Sequence, residues 1–171
     1  MKVAILVHDG FEDLEYFVPK YALIMNGFNV LTVGMRMKKE CKGRWGLAAE
    51  VDVLATEICP EELSGILIPG GYAPDKIRRF PPVLKLVKAI DEAKKPLGLI
   101  CHAGSVAISA KILNKGDKCT SSYGIKDDLI NAGAEWIDKS VVIDGNRIWA
   151  QGVKSLAQYT NSALNILKQG K

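Results

Sequence analysis

Apolar residues run unbroken over residues 2–7 after the first lysine, and the same kind of run recurs at residues 65–69 (GILIP) and 96–100 (PLGLI). Continuous β-prone runs closed by turn residues are expected of strands covered on both faces, as in a parallel sheet. Between them the period changes. Leu14, Phe17, Val18, Tyr21, Ala22 and Met25 recur at helical spacing and predict a helix after the first strand. Pro19 falls within that stripe and predicts a break into two helical pieces, because it lacks a donor and crowds the preceding turn. Gly27 supplies the stop, and residues 29–33 read as a second strand that completes a βαβ unit. Residues 47–55 read as short β structure, with a hairpin as its expected form. Val83, Leu86, Val87 and Ile90 mark an amphipathic helix over 82–94. Further helices are expected at 103–113, 125–132 and 156–167. Strands 141–143 and 147–150 flank Asp144-Gly145-Asn146, a hairpin turn signal.

Strands alternating with helices predict an α/β fold: a mainly parallel sheet with helices on both faces. In such sheets, sites gather beyond the carboxyl ends of the strands. The 171 residues contain no repeat and no Pro/Gly/Ser-rich linker, so one domain over 1–171 is expected. The 23 basic and 19 acidic residues leave a net charge of +4. Basic positions are scattered, with short clusters at 36–39 and 76–79, and no nucleic-acid partner is indicated. The apolar start is too short for a secretion signal or a membrane span, which makes a reducing, cytoplasmic setting the expectation. Cys41, Cys59, Cys101 and Cys119 form no CxxC pair, so neither a disulfide framework nor a metal site is expected. No cofactor is expected either.

Three segments should meet at the carboxyl edge: residues 8–15, 69–75 and 101–105. Cys101 stands between an apolar strand and a helix rich in small residues, where a sharp turn lifts a side chain above the sheet. The helix start behind it would favour a thiolate. Position alone also fits a buried structural cysteine. Gly70-Gly71 follows a strand directly and permits close backbone approach or an amide aimed at an oxyanion, although a plain turn would use the same pair. Glu12 and Glu15 can share a helix face; they fit acids that complement the helix dipole, or a carboxyl drawn beside a thiol. His102 fits a helix-cap residue as readily as a proton carrier.

The segments GFEDLE, ILIPGGYAPDK, GLICHAG and SYGIKDDLINAGAEWIDKSVVIDGN occur in this order along nearly the whole chain. Together they resemble the PfpI-type intracellular protease family, in the superfamily that includes the parkinsonism-associated protein deglycase. The resemblance implies a flavodoxin-like three-layer sandwich with Cys101 as nucleophile, His102 beside it and Glu15 touching the thiol. It also implies Glu12 in the pocket and amides of Gly71 and His102 as oxyanion donors. The family's acid that reaches the histidine of a neighbouring subunit corresponds to Asp75, which implies a homo-oligomer, a dimer or larger. Where the family commonly has a tyrosine, Ser122 stands in register and Tyr123 follows. The elbow reads Cys101-His102-Ala103-Gly104 rather than Cys-His-Gly-Pro, and Gln151-Gly152-Val153-Lys154 replaces a Ser-Arg-x-Pro stretch. The implied function is a cysteine hydrolase attacking a carbonyl of a small molecule or peptide. The alternatives are a metal-free glyoxalase or protein deglycase, or a redox and stress sensor using the same thiol.

Overall fold

The computed structural model describes residues 1–36 and 39–169. Of the basic cluster at 36–39, only Arg36 and Lys39 lie among the described residues. The strands in chain order are β1 (Lys2–Leu6), β2 (Asn29–Gly34), β3 (Glu40–Lys42), β4 (Ala48–Glu50), β5 (Val53–Leu54) and β6 (Leu63–Ile68). They continue with β7 (Leu97–Ile100), β8 (Lys118–Cys119), β9 (Glu135–Trp136), β10 (Val141–Asp144) and β11 (Arg147–Ala150). The helices are α1 (Asp13–Met25), α2 (Ala73–Ile77), α3 (Pro81–Glu92), α4 (Gly104–Ala110), α5 (Lys126–Asn131) and α6 (Leu156–Gln169).

Seven strands form the main sheet in the order β10-β11-β7-β6-β1-β2-β5, parallel except where β10 meets β11. Helices α1 and α6 pack together on one face, while α2, α3 and α4 pack together on the other. This is the α/β layering that the alternation of periods predicts, and the flavodoxin-like sandwich that the family resemblance implies. Its centre is almost wholly apolar: Val3, Ala4, Ile5 and Leu6 of β1 and Ile66 and Ile68 of β6 have no solvent exposure. Full burial of an aliphatic side chain stabilises by about 1.5–3 kcal/mol, so this central pair anchors the layers. From β1 the chain winds one way to β2, then returns to lay β6 on the other side of β1. The carboxyl ends of β1 and β6 therefore flank the topological switch point, where a crevice must open.

Helix α1 departs from expectation twice. It runs unbroken from Asp13 to Met25 with Pro19 inside it. Pro19 has no N–H to give to the Glu15 carbonyl four residues earlier. The burial of Tyr16, Pro19 and Leu23 against the sheet holds the helix together across that gap. The tyrosine hydroxyl is also tied to Thr32 at 2.7 Å. Second, most of the apolar stripe used to find the helix faces outward: Leu14, Val18, Tyr21 and Met25 are exposed, and only Phe17 and Ala22 are half-buried against the core. The inward face is instead Asp13, Glu15, Tyr16, Pro19 and Leu23, so two acids occupy positions that patterning assigns to the core.

The hairpin also differs from the reading of residues 47–55. Strand β4 pairs antiparallel with β3, which lies earlier in the chain, while β5 leaves to join the edge of the main sheet. The helix expected at 103–113 is shorter: a 3-10 turn over Cys101–Ala103 precedes α4, which ends where Lys111 turns left-handed.

Candidate active site

Strand β7 delivers Cys101 to the switch point with φ +61°, a left-handed backbone that a residue with a side chain seldom adopts. Such a residue stores on the order of 1–3 kcal/mol of strain and persists only where its surroundings over-determine it. The surroundings here are tight. A Cβ added to Gly70 would sit 2.5 Å from the Cys101 Cβ and 2.7 Å from Glu15 Oε2. Glycine at that position lets the strand end touch both groups at once. Gly71 has φ +75°, and a Cβ there would collide with the Gly10 carbonyl oxygen. The glycine pair is thus required by packing, beyond what a simple turn would need.

Glu15 reaches the site from the buried face of α1. The Gly70 N–H donates to its Oε2 at 2.7 Å, and the Cys101 thiol hydrogen-bonds the same carboxyl group. Burial raises the Glu15 pKa to about 7, aided by the Glu12 carboxylate and opposed by the Gly70 amide, Arg44 and the thiol. Burial also pushes the Cys101 thiol up, to about 11; the Glu15 carboxylate adds to this, and the Gly71 and His102 amides and the Ser122 hydroxyl oppose it. The direction is opposite to the one expected from a helix start, because lost hydration and a neighbouring anion outweigh the donors. The two groups constitute one proton-sharing pair. When Glu15 holds the proton, its repulsion vanishes and the donors around Sγ face a thiolate.

His102 turns its ring toward the thiol: Nδ1 lies 3.2 Å from Cys101 Sγ and 3.2 Å from Ser122 Oγ. Burial, then the charge of Arg44, lowers its pKa and favours the neutral imidazole. Asp75 is exposed and paired with Arg79; among the described residues it borders the cavity over Cys101 without bonding His102. Glu12 is buried beside the site, accepting from the Trp45 indole at 3.1 Å, with Arg44 3.5 Å away. Tyr123 stands apart, exposed, with its ring on Trp136 and its hydroxyl donating to Asp138 at 2.8 Å. Ser122, the residue in register with the family's tyrosine, makes the contacts to the thiol and the imidazole.

The cavity above Cys101 measures about 490 Å3 and is bordered also by Arg44, Tyr72, Ser105 and Ile125. Arg44 had no motif to announce it. It sits at the tip of the β3–β4 hairpin, whose turn is fastened by Asp13: Oδ2 accepts from the Trp45 amide at 3.0 Å and Oδ1 from the Leu47 amide at 2.9 Å. A larger cavity of about 690 Å3 lies at the opposite edge, near Met1, Leu63, Pro96 and Asn146, and has no thiol in its wall. Among the described residues no His/Cys/Asp/Glu group is arranged to hold a metal, no disulfide joins the cysteines, and no helix is long and apolar enough to cross a membrane.

These features define an α/β protein with a cysteine at a strand-to-helix elbow beside a carboxyl group. Over residues 1–166 the sequence matches the DJ-1/PfpI family, and the chain belongs to it. A deglycase of Thermococcus kodakarensis is 38% identical over 98% of this chain and 100% of its own. The deglycase PfpI of Pyrococcus furiosus is 35% identical over the same shares. A Bacillus subtilis relative, 35% identical over 98% of both chains, is named only as a candidate cysteine protease. Among solved structures, a two-domain Anabaena variabilis protein with DJ-1/ThiJ/PfpI-like and ferritin-like domains aligns with TM-score 0.95 and 37% identity. The alignment covers 98% of this chain and 48% of that one, so the chain spans about half of it. The Schizosaccharomyces pombe DJ-1 structure shares the fold at TM-score 0.85 and 22% identity, over 99% of this chain and 91% of that one.

Proposed function

We propose that the chain is a cysteine-dependent enzyme acting on small reactive carbonyl compounds, in the manner of a deglycase or metal-free glyoxalase. The observation that carries this reading is the strained elbow thiol of Cys101 packed beside the buried carboxyl of Glu15 under a cavity of about 490 Å3. With Glu15 protonated, the thiolate adds to an aldehyde carbon. The S–C bond forms, the carbonyl π pair moves to oxygen, and that oxygen takes the proton from Glu15. Amides of Gly71 and His102 favour the thiolate before attack, and the same two donors are assigned to the oxyanion as charge moves from sulfur to oxygen. In a 2-oxoaldehyde adduct, the Glu15 carboxylate then moves the proton from the sulfur-bearing carbon to the neighbouring carbon while the adduct's hydroxyl proton passes to the neighbouring carbonyl oxygen, leaving a thioester. Water hydrolyses the thioester, releasing a 2-hydroxy acid and restoring the thiol.

The peptidase reading requires an acid on His102. Within one subunit Asp75 is committed to Arg79, so that reading depends on a neighbouring copy. The exposed stripe Leu14, Val18, Tyr21, Ile24 and Met25 supports self-association through α1. The family match extends over residues 1–166, which supports one functional unit. The test is turnover of methylglyoxal to lactate by the wild type beside Cys101→Ser. The expected result is measurable turnover that the substitution abolishes. No turnover by the wild type, with peroxide still oxidising Cys101, would favour the sensor instead.

A further inference from the structure

Arg44 occupies an unusual position for a surface arginine. Its amide donates to the Phe11 carbonyl at 2.8 Å, which fixes the hairpin tip over the first loop of the site. Its guanidinium lies over the Trp45 ring at 5.0 Å and the Tyr72 ring at 5.2 Å, and it borders the cavity that contains Cys101. The nearest acid is Glu12, at a distant 3.5 Å, and that carboxylate already accepts from the Trp45 indole. A guanidinium presents five N–H donors in a planar fork, so most of its donor capacity is left over. The other charges bordering the cavity are Lys76 and Arg78 against Asp75 and Asp128. Lys76 donates to the Asp9 carbonyl at 3.0 Å, Arg78 to Ser109 at 2.8 Å, and Asp75 is held by Arg79. Cations outnumber acids at the wall, and Arg44 is the cation whose charge reaches His102 and Glu15. Deeper in, Ser105 is 6% exposed and its Oγ has no hydrogen-bond partner among the described residues. A buried hydroxyl left without a partner costs on the order of 1–3 kcal/mol, which a ligand oxygen would relieve.

We infer that this cavity selects carbonyl compounds that also carry a carboxylate: Arg44 binds the anionic group while Cys101 adds to the carbonyl carbon. This rests on the carbonyl reading of Cys101 given above and names the substrate class within it. Trp45 and Tyr72 keep the guanidinium plane fixed, so little freedom is lost when a carboxylate docks on its fork. Ser105 offers a donor for a ligand oxygen, carboxylate or carbonyl. The addition is balanced without a co-reactant: the S–C bond forms and the carbonyl oxygen takes the proton of the thiol–carboxyl pair.

The test uses glyoxylate, a small aldehyde bearing a carboxylate, against neutral glycolaldehyde. Each is titrated as protection of Cys101 from iodoacetamide, read by peptide mass spectrometry on the full chain. The expected result is half-protection by glyoxylate at a concentration about tenfold or more below that of glycolaldehyde, the scale of one charge-assisted hydrogen-bonded pair. That preference should collapse in Arg44→Gln, persist for the most part in Arg44→Lys, and shrink in the wild type as salt rises. Equal protection by both aldehydes, or a preference indifferent to Arg44 and to salt, overturns the carboxylate assignment and leaves the carbonyl reading standing. Protection by neither aldehyde overturns both.

Discussion

Two buried charged clusters lie at opposite edges of the sheet, and they are built on opposite terms. At the amino edge, Arg147 at the start of β11 donates Nε and Nη2 to Asp91 at 2.6 and 2.8 Å and Nη1 to Asp117 at 2.6 Å. Asn146 adds a bond to Asp91 at 3.3 Å. Opposite charges meet there with their donors used. At the carboxyl edge, two groups that become negative, Glu15 and Cys101, are pressed together beside a third acid, Glu12. The first cluster is satisfied and holds the fold. The second is frustrated, and its free energy is available to chemistry. The contrast teaches how to separate stability from function in one molecule: count which buried charges have found their complement.

The largest effect should come from breaking the satisfied cluster. Arg147→Ala leaves Asp91 and Asp117 without their cation and should destabilise by about 3–5 kcal/mol, measured by urea denaturation. Cys101→Ser should cost far less stability yet remove all carbonyl chemistry. If the two variants unfold at the same urea concentration, the distinction between the edges is wrong. Next in size is Gly70→Ala. Its new Cβ has no room between the Cys101 side chain and the Glu15 carboxyl, and overpacking of this kind costs about 1–3 kcal/mol. Loss of Cys101 alkylation at retained secondary structure is the expected outcome.

The two edges should also answer pH with opposite signs. Asp117 is held below its ordinary pKa: burial alone would raise it, but bonds from Asn114 and Arg147 prevail. Its contribution to stability is therefore present above the unfolded carboxyl range and lost on acidification. Glu15 is raised from 4.5 to about 7, so its contribution is complete below 4.5 and is lost as pH climbs through about 7. Glu15→Gln should flatten the pH dependence of stability between those limits while leaving the acid-side loss intact. The same substitution removes the anion that helps push Cys101 to about 11. Its thiol pKa should fall, and each unit of that fall raises the thiolate fraction about tenfold. Faster alkylation at pH 8 with lost methylglyoxal turnover would separate thiol reactivity from proton transfer; slower alkylation would refute the shared-proton account. The smallest effect belongs to Ser122→Ala, which deletes one donor to Sγ. A single hydrogen bond of about 1 kcal/mol corresponds to a roughly fivefold slower alkylation.

The sheet was legible because parallel strands buried on both faces must be continuously apolar, as residues 3–6 and 66–68 are. Cys101 and the glycine pair stood out because they stand where strands end, whereas their roles and that of Glu15 on α1 came only from the family resemblance, and Ser122 showed as a break in register. Two things were hidden. The buried face of α1 was hidden because the helix carries most of its apolar stripe outward while it turns Asp13 and Glu15 inward, and periodicity cannot say which stripe meets the sheet. Arg44 was missed because a hairpin tip is brought to the site only by long-range bonds from Asp13 and Phe11. The direction of the thiol shift was missed for a different reason: desolvation is set by everything packed around a group, and no local motif reports it.

That hairpin tip has a consequence for how the protein can change. Residues 43–47 belong to no strand of the seven-stranded sheet, and their anchors are mostly backbone amides gripped by one aspartate and one carbonyl. Amides are the same in every amino acid but proline, so the side chains at 44, 45 and 47 are exchangeable without loosening the grip. Gly43 and Gly46 are fixed: a Cβ on Gly43 would run into the Asp13 carboxyl, and Gly46 has φ +99°. The reacting thiol is welded into the scaffold, whereas the arginine that screens its guests is mounted on a replaceable bracket. A lineage could retune what enters by rewriting a few codons there and never touch the machinery that does the reacting.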